Sequence, residues 1–126
     1  MLPKKILVVD DEERVRSILK AMLESKGYKI EVAEDGVVAL EKLQSNGFSM
    51  VICDIKMPKL DGFGVLKWVQ ENKPEIPIIF ITAVEEKGAV IQAMQMGLAD
   101  YIEKPFNMDM VLEVVEQELK RERPKE

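Results

Sequence analysis

Residues 50–58, which spell MVICDIKMP, place a single carboxylate directly after a run of four apolar residues. Short apolar runs that end at a turn signal are typical of strands buried on both faces of a parallel sheet. Asp54 would then lie at the carboxyl end of such a strand, where open α/β sheets bind their ligands. Taken alone, Asp54 is more simply explained as a residue that begins a turn. The other predicted strand ends decide between these two interpretations.

Length and composition indicate one globular domain. The chain has 126 residues, of which 47% are hydrophobic and 33% are charged. We expect a single domain over residues 1–126, with its core at about 4–122 and a charged tail or the start of a linker at 120–126. A further domain after this tail and a chain with a single domain are equally compatible with the sequence.

Charge and rare residues exclude several classes of function. A net charge of −5 argues against direct binding of nucleic acid by this domain. The complete lack of histidine argues against a zinc enzyme and removes every Ser-His-Asp triad. The single cysteine, Cys53, cannot form an internal disulfide, and neither a membrane span nor a signal peptide is apparent. Together these features predict a cytoplasmic protein that does not contact a membrane.

Hydrophobic periodicity predicts five strands that alternate with five helices, an α/β fold with a parallel sheet. Glycines followed by apolar residues predict helix ends at Gly27, Gly47 and Gly97. The all-apolar first, third and fourth strands belong inside the sheet, and the amphipathic second strand belongs at an edge. The helix predicted at 85–96 has a weak apolar stripe, for which Val90, Ile91 and Met94 are the best candidates, so we expect it to pack loosely.

Every buried strand is followed or ended by a polar group, and all these ends meet at one edge of a parallel sheet. The residues concerned are Asp10, Asp11, Asp54, Thr82 and Lys104. Three clustered carboxylates repel one another by about a few kcal/mol per pair, so they need a cation. Oxygen ligands with room for water suit Mg²⁺. A metal, a carboxylate nucleophile, a lysine and a hydroxyl donor together predict phosphoryl transfer onto an aspartate.

The order of these motifs resembles the receiver domain of two-component response regulators, of which the chemotaxis regulators are examples. The motifs are the Asp-Asp pair after the first strand, ICDIKMPKLDG, IIFITA and GLADYIEKPF, and the resemblance covers residues 4–122. It implies a flavodoxin-like, doubly wound sheet of five parallel strands in the order 2-1-3-4-5, with five helices.

The resemblance also implies roles for individual residues. Asp54 would be the phosphoacceptor, and Mg²⁺ would be the cofactor, with Mn²⁺ as an expected substitute. The side chains of Asp11 and Asp54, the backbone carbonyl of Lys56 and, through a water molecule, Asp10 would bind the metal.

Other implied roles concern the phosphoryl group and the switch. Thr82 and Lys104 would contact the phosphoryl group, and the bond before Pro105 would be cis. Thr82 and Tyr101 would form the switch pair: the threonine moves toward the phosphoryl oxygen and the ring turns inward.

The implied function is a phosphorylation-dependent signalling switch. A sensor histidine kinase or phosphotransfer protein would supply the phosphoryl group from a phosphohistidine. An output domain or effector protein would bind the surface formed by residues 89–96, strand 99–103 and the last helix, and dimerisation on activation is a further expectation. We do not expect a conventional enzyme, since the chain would catalyse only its own phosphorylation and dephosphorylation.

Two flanking positions should set the lifetime of the phosphoryl group. Lys56 follows the phosphoacceptor by two residues, and Val84 follows Thr82 by two residues. Valine cannot orient an attacking water, and a long lysine can shield or pair with the phosphoryl group. These residues predict slow self-dephosphorylation.

Three other classes of protein share part of this pattern. A haloacid-dehalogenase-type phosphohydrolase also uses a strand-end aspartate with Mg²⁺, but it needs a second aspartate where this chain has Lys56. A receiver-like module that works without phosphorylation would need a degraded acidic pocket, whereas every member of the pocket is present. A nucleotide-binding domain would need a glycine-rich phosphate loop, which the sequence lacks.

Overall fold

The structure is a computed structural model that describes residues 3–45 and 47–121. Residues 122–126 of the predicted charged tail therefore lie outside the described residues. The elements in chain order are β1 (Lys5–Val9), α1 (Glu13–Glu24), β2 (Lys29–Ala33), α2 (Gly36–Leu43), β3 (Phe48–Asp54), α3 (Gly62–Asn72), β4 (Ile78–Thr82), a 3₁₀ turn (Val84–Glu86), α4 (Lys87–Gln95), β5 (Asp100–Glu103) and α5 (Met108–Lys120). None of the helices in the described part of the chain is both long and apolar enough to cross a membrane.

The five strands form one parallel sheet in the order β2-β1-β3-β4-β5. This is the predicted doubly wound order, and it is confirmed. The predicted edge position of the amphipathic strand β2 is also correct. The strands after β2 are added on the opposite side of β1, so the order of the strands reverses between β1 and β3. The carboxyl ends of these two neighbouring strands form the crevice in which such folds bind ligands.

Alternate residues of each central strand face two separate hydrophobic cores. On β1, Leu7 and Val9 pack with α2, α3 and α4, whereas Ile6 and Val8 pack with α1 and α5. Because helices cover both faces, the central strands are largely apolar, and every residue of β4 is buried.

Gly27 and Gly97 follow the ends of α1 and α4 as predicted, whereas α2 ends at Leu43, before the end predicted at Gly47. Gly27, Gly47 and Gly97 have φ values of +90°, +106° and +104°, which side chains other than glycine rarely adopt. After α4, the N–H of Leu98 donates to the carbonyl of Ala93 at 3.0 Å. The N–H of Gly97 donates to the carbonyl of Met94 at 3.2 Å, which completes a Schellman motif.

The predicted stripe of α4 is wrong in part. Val90 and Ala93 are buried, but Ile91 and Met94 are 64% and 46% exposed. The apolar residues of this helix occupy more than one face, and the sheet covers only the face of Val90 and Ala93. The helix is also preceded by the 3₁₀ turn, so its regular part begins two residues later than predicted.

Candidate functional site

Four strand ends place the polar side chains of the candidate site. Asp10 directly follows β1, Asp54 is the last residue of β3, Thr82 is the last residue of β4, and Lys104 directly follows β5. Register pairs Val9 with Cys53 and Asp54 with Ile81, so these ends lie side by side at one edge of the sheet.

The carboxylates of Asp10, Asp11 and Asp54 form a cluster. One oxygen from each lies within 4.8 Å of the others. Asp10 is 1% exposed, and its Oδ1 accepts the N–H of Glu12 at 2.8 Å. Burial raises the pKa of Asp10 above its usual range, although the Glu12 N–H and the charge of Lys104 oppose this effect.

Asp54 is also largely buried, with 8% of its surface exposed. Its Oδ1 accepts the backbone N–H of Ile55 at 2.9 Å and lies 3.9 Å from Nζ of Lys104. Burial, followed by the charge of Asp10, raises the pKa of Asp54 to about 6, with Lys104 and the Ile55 N–H acting in the opposite direction.

Thr82 is the last residue of β4, the strand beside the one that ends at Asp54, and it is fully buried. Within the described residues, its Oγ1 has no hydrogen-bond partner, and the same is true of Oδ2 of Asp10. Buried polar atoms are nearly always hydrogen-bonded, so two such atoms at one site point to a polar ligand. The carbonyl of Thr82 accepts the N–H of Lys104 at 2.7 Å, which joins the threonine to the strand that carries the lysine.

The loop after β3 packs closely against the end of that strand. The N–H of Gly62 donates to the carbonyl of Ile55 at 2.7 Å. A Cβ at Gly62 would lie only 2.7 Å from the carbonyl oxygen of Asp54. Glycine is therefore needed here because the backbone approaches so closely.

The residues of the cluster fit a magnesium ion. They offer three carboxylates, which are hard oxygen ligands, on a rim where Asp11 is exposed to water. The buried Oδ2 of Asp10 is available to a ligand. A cation would relieve the repulsion between carboxylates, which adds to the larger effect of burial in raising the pKa of Asp10 and of Asp54. The side chains of Asp11 and Asp54 could hold the ion directly, and Asp10 could do so through a water molecule.

The remaining predicted site residues lie in the segments after β3, β4 and β5 and on β5 itself. Lys56 is exposed, and Val84 is 57% exposed in the 3₁₀ turn. Tyr101 is 38% exposed on the edge strand β5. The bond between Lys104 and Pro105 is cis.

Glu86 is a residue of this region that the sequence did not reveal. Its Oε1 accepts the backbone N–H of Ala83 at 2.8 Å, and its negative charge contributes to the raised pKa of Asp54. A glutamate three residues after a helix cap is a known signal, but that signal calls for Ser or Thr at the cap, and this chain has alanine.

Comparisons with known proteins identify the class of domain to which this doubly wound sheet, with an acidic cluster and a lysine at its carboxyl edge, belongs. The response regulator receiver domain family matches residues 6–116. The chain therefore belongs to the response regulator receiver domain family.

Individual relatives support this assignment. The response regulator MprA of Mycobacterium sp. (strain KMS) is 35% identical over 99% of this chain and 54% of its own length. The alkaline phosphatase synthesis transcriptional regulatory protein PhoP of Bacillus subtilis is 39% identical over 82% of this chain and 43% of its own length. The chain thus spans about half the length of these curated relatives.

The fold has close counterparts among solved structures. A receiver domain protein from Clostridium thermocellum has a TM-score of 0.90 and 29% sequence identity. The match covers 94% of this chain and 95% of that one.

Proposed function

We propose that this domain is a signalling switch that accepts a phosphoryl group on Asp54 from the phosphohistidine of a sensor kinase or phosphotransfer protein. The observation that carries the proposal is the position of Asp54. Its carboxylate ends a buried strand, belongs to the acidic cluster and lies 3.9 Å from Nζ of Lys104.

Magnesium, held by the side chains of Asp11 and Asp54, the backbone carbonyl of Lys56 and, through water, Asp10, would neutralise charge on the transferred group. Asp54 supplies the nucleophile, and its pKa of about 6 leaves it mostly ionised at neutral pH. A carboxylate oxygen forms the new bond to phosphorus while the phosphorus–nitrogen bond breaks. The donor imidazole, protonated on its other ring nitrogen, takes the bonding electron pair and leaves as neutral imidazole.

Two side chains of this site would stabilise the transferred group. The ammonium of Lys104 attracts the negative phosphoryl oxygens, and it is already within ion-pair distance of Asp54. The buried hydroxyl of Thr82 would donate a hydrogen bond to one of these oxygens. That bond would draw Thr82 toward Asp54, and Tyr101 would turn inward as its switch partner.

The surface made by α4, β5 and α5 is the proposed output face. It exposes five large apolar side chains, those of Ile91, Met94, Tyr101, Met108 and Met110. A groove of about 330 Å³ lies between β5 and α5, and Tyr101 and Met110 both line it. Rotation of Tyr101 would change the shape of this groove, which is how the state of Asp54 would reach a partner.

The proposed partners follow from this arrangement. An output domain or effector protein, or a second copy on activation, would bind the output face, and the domain would not itself bind nucleic acid. The name of the PhoP relative, a transcriptional regulatory protein, favours an output in gene regulation. A cytoplasmic location, where the buried thiol of Cys53 stays reduced, remains part of the proposal.

Intact mass measurement after incubation with acetyl phosphate and Mg²⁺ tests the function. We expect the chain to gain one phosphoryl group, and the gain to disappear in EDTA and in Asp54→Asn. Asp109→Asn, which changes an exposed aspartate at the start of α5, serves as the control that retains the gain. Steady release of phosphate from many esters would instead indicate a hydrolase, and no gain with any donor would indicate a module that works unphosphorylated.

A further inference from the structure

Three hydrogen bonds fix Asp10, the most buried carboxylate of the acidic cluster. Its backbone N–H donates to the carbonyl of Ala33, the last residue of β2, at 3.1 Å. Its Oδ1 accepts the backbone N–H of Glu12 at 2.8 Å, and its carbonyl accepts Nη1 of Arg16 at 2.6 Å. Only the buried Oδ2 has no hydrogen-bond partner among the described residues. The residue is therefore held at three groups and keeps one carboxylate oxygen open to a ligand.

Arg16 is the one residue that reaches Asp10 with a side chain. It is the fourth residue of α1, and its own backbone N–H donates to the carbonyl of Glu12 at 3.2 Å. Long side chains on a helix lean toward its N-terminus, and this direction brings the guanidinium of Arg16 back to the loop that carries the acidic pair. A substitution at Arg16 can thus remove one support of Asp10 without changing Asp10 itself.

The bond from Arg16 to Asp10 has the features of a strong contact. A charged donor makes a hydrogen bond that is shorter and stronger than one between neutral groups, and 2.6 Å is short for an N–H donor. Arg16 is half-buried, and within the described residues it forms no ion pair with a carboxylate. Its ordered contact beside the acidic cluster is with the backbone.

We propose that Arg16 is a positioning residue of the acidic cluster, which holds the carbonyl of Asp10 and thereby fixes the carboxylate for its part in binding Mg²⁺. This inference rests on the proposed magnesium site and names a residue outside the cluster on which that site depends. Removal of a group that orients a metal ligand commonly weakens metal binding by about 10–100-fold. Charge alone predicts the opposite direction, because loss of a cation near the site would reduce the repulsion of Mg²⁺.

A titration with Mg²⁺ followed by NMR amide shifts, without any phosphodonor, separates these two effects. Arg16→Met removes the donor and should weaken Mg²⁺ binding by about tenfold. Arg16→Lys keeps a charged donor and should bind Mg²⁺ more tightly than Arg16→Met. Arg14→Met, on an exposed residue of the same helix, should leave the affinity nearly unchanged. Wild-type or tighter affinity in Arg16→Met, or no rescue by lysine, would overturn the proposal.

A double-mutant cycle tests whether Arg16 acts through Asp10. Asp10→Asn removes the carboxylate that Arg16 is proposed to position. In this background Arg16→Met should cause no further weakening of Mg²⁺ binding. An equal loss of affinity in both backgrounds would overturn the proposed route through Asp10.

Amide hydrogen exchange of Glu12 in EDTA tests the positioning without metal, because this N–H is bound to the carboxylate of Asp10. Arg16→Met should speed its exchange by about threefold to tenfold, and Arg14→Met should not. Unchanged exchange in Arg16→Met would overturn the positioning role and leave the proposed function intact. A wild-type chain that binds no Mg²⁺ would instead contradict the proposed function, and the exchange of Glu12 would still decide whether Arg16 holds Asp10.

Discussion

Nζ of Lys104 lies 3.9 Å from Oδ1 of Asp54, across the strand β4 that separates their two strands. At this distance the groups form an ion pair without a direct hydrogen bond. The positive charge opposes burial and the negative charge of Asp10, both of which raise the pKa of Asp54. Lys104 therefore helps to keep the proposed nucleophile ionised at neutral pH.

Replacement of this lysine should weaken both ionisation and transfer. In Lys104→Met, we expect the pKa of Asp54 to rise above its present value of about 6 and phosphorylation by acetyl phosphate at pH 7 to slow by about tenfold or more. Carbon-13 NMR titration of the carboxyl groups and the rate of mass gain measure the two effects. Lys67→Met, on the exposed side of α3, should change neither. An unchanged pKa of Asp54 would show that the ion pair is unimportant.

The raised pKa of Asp54 predicts a pH dependence of stability in EDTA. The pKa of Asp54 in the folded state, about 6, lies above its ordinary value of 3.8. Between pH 3.8 and pH 6 the folded state therefore binds more protons than the unfolded state. The free energy of unfolding should therefore fall as the pH rises through this window. At pH 7 the ionised carboxylate should lower the free energy of unfolding by about 3 kcal/mol.

Asp54→Asn removes this titration, so urea unfolding in EDTA should show a variant more stable than the wild type by about 3 kcal/mol at pH 7. The difference should largely vanish near pH 4. Asp109→Asn is the exposed control, for which a change within about 0.5 kcal/mol is expected. A variant that is less stable than the wild type at pH 7 would refute the prediction.

Sequence patterns predicted this molecule best where a single physical requirement fixes a residue. Burial on both faces makes β3 and β4 continuous apolar runs, and the positive φ after a helix requires glycine at Gly27. The strand ends could therefore be located, and with them the residues of the acidic cluster. The strand order came from resemblance, because periodicity does not determine how strands are arranged.

The parts that the sequence missed depend on side-chain placement in three dimensions. Ile91 and Met94 appeared to belong to the buried stripe of α4, but a short helix with apolar residues on several faces leaves its orientation open. Glu86 was missed because its bond to Ala83 depends on the 3₁₀ turn before α4, and no residue at the cap signals that turn.

Two glycines should respond to alanine in opposite ways. At Gly62, a Cβ would lie 2.7 Å from the carbonyl oxygen of Asp54 and 3.0 Å from Cα of Ile55, both backbone atoms that cannot move aside cheaply. Gly62→Ala should therefore lower the free energy of unfolding by about 2 kcal/mol. Gly88 lies in α4, where an added Cβ would meet no atom within 4 Å apart from its chain neighbours and its own helix backbone. Gly88→Ala should therefore raise the free energy of unfolding by about 0.5–1 kcal/mol. Urea unfolding measures both, and equal effects of the two substitutions would contradict the predicted close packing at Gly62.

The exposed positions Lys56 and Val84 should set the lifetime of the phosphoryl group on Asp54. Val84 is 57% exposed and apolar, so it cannot orient an attacking water, and Lys56 is exposed just beyond the end of β3. Val84→Glu and Lys56→Asn introduce groups that can hold water, and each should shorten the phosphorylated lifetime by about tenfold. The decay of the phosphorylated mass after removal of acetyl phosphate measures this lifetime, with Val37→Glu on α2 as an exposed control. A wild-type lifetime of only seconds that neither substitution changes would show that hydrolysis is controlled elsewhere.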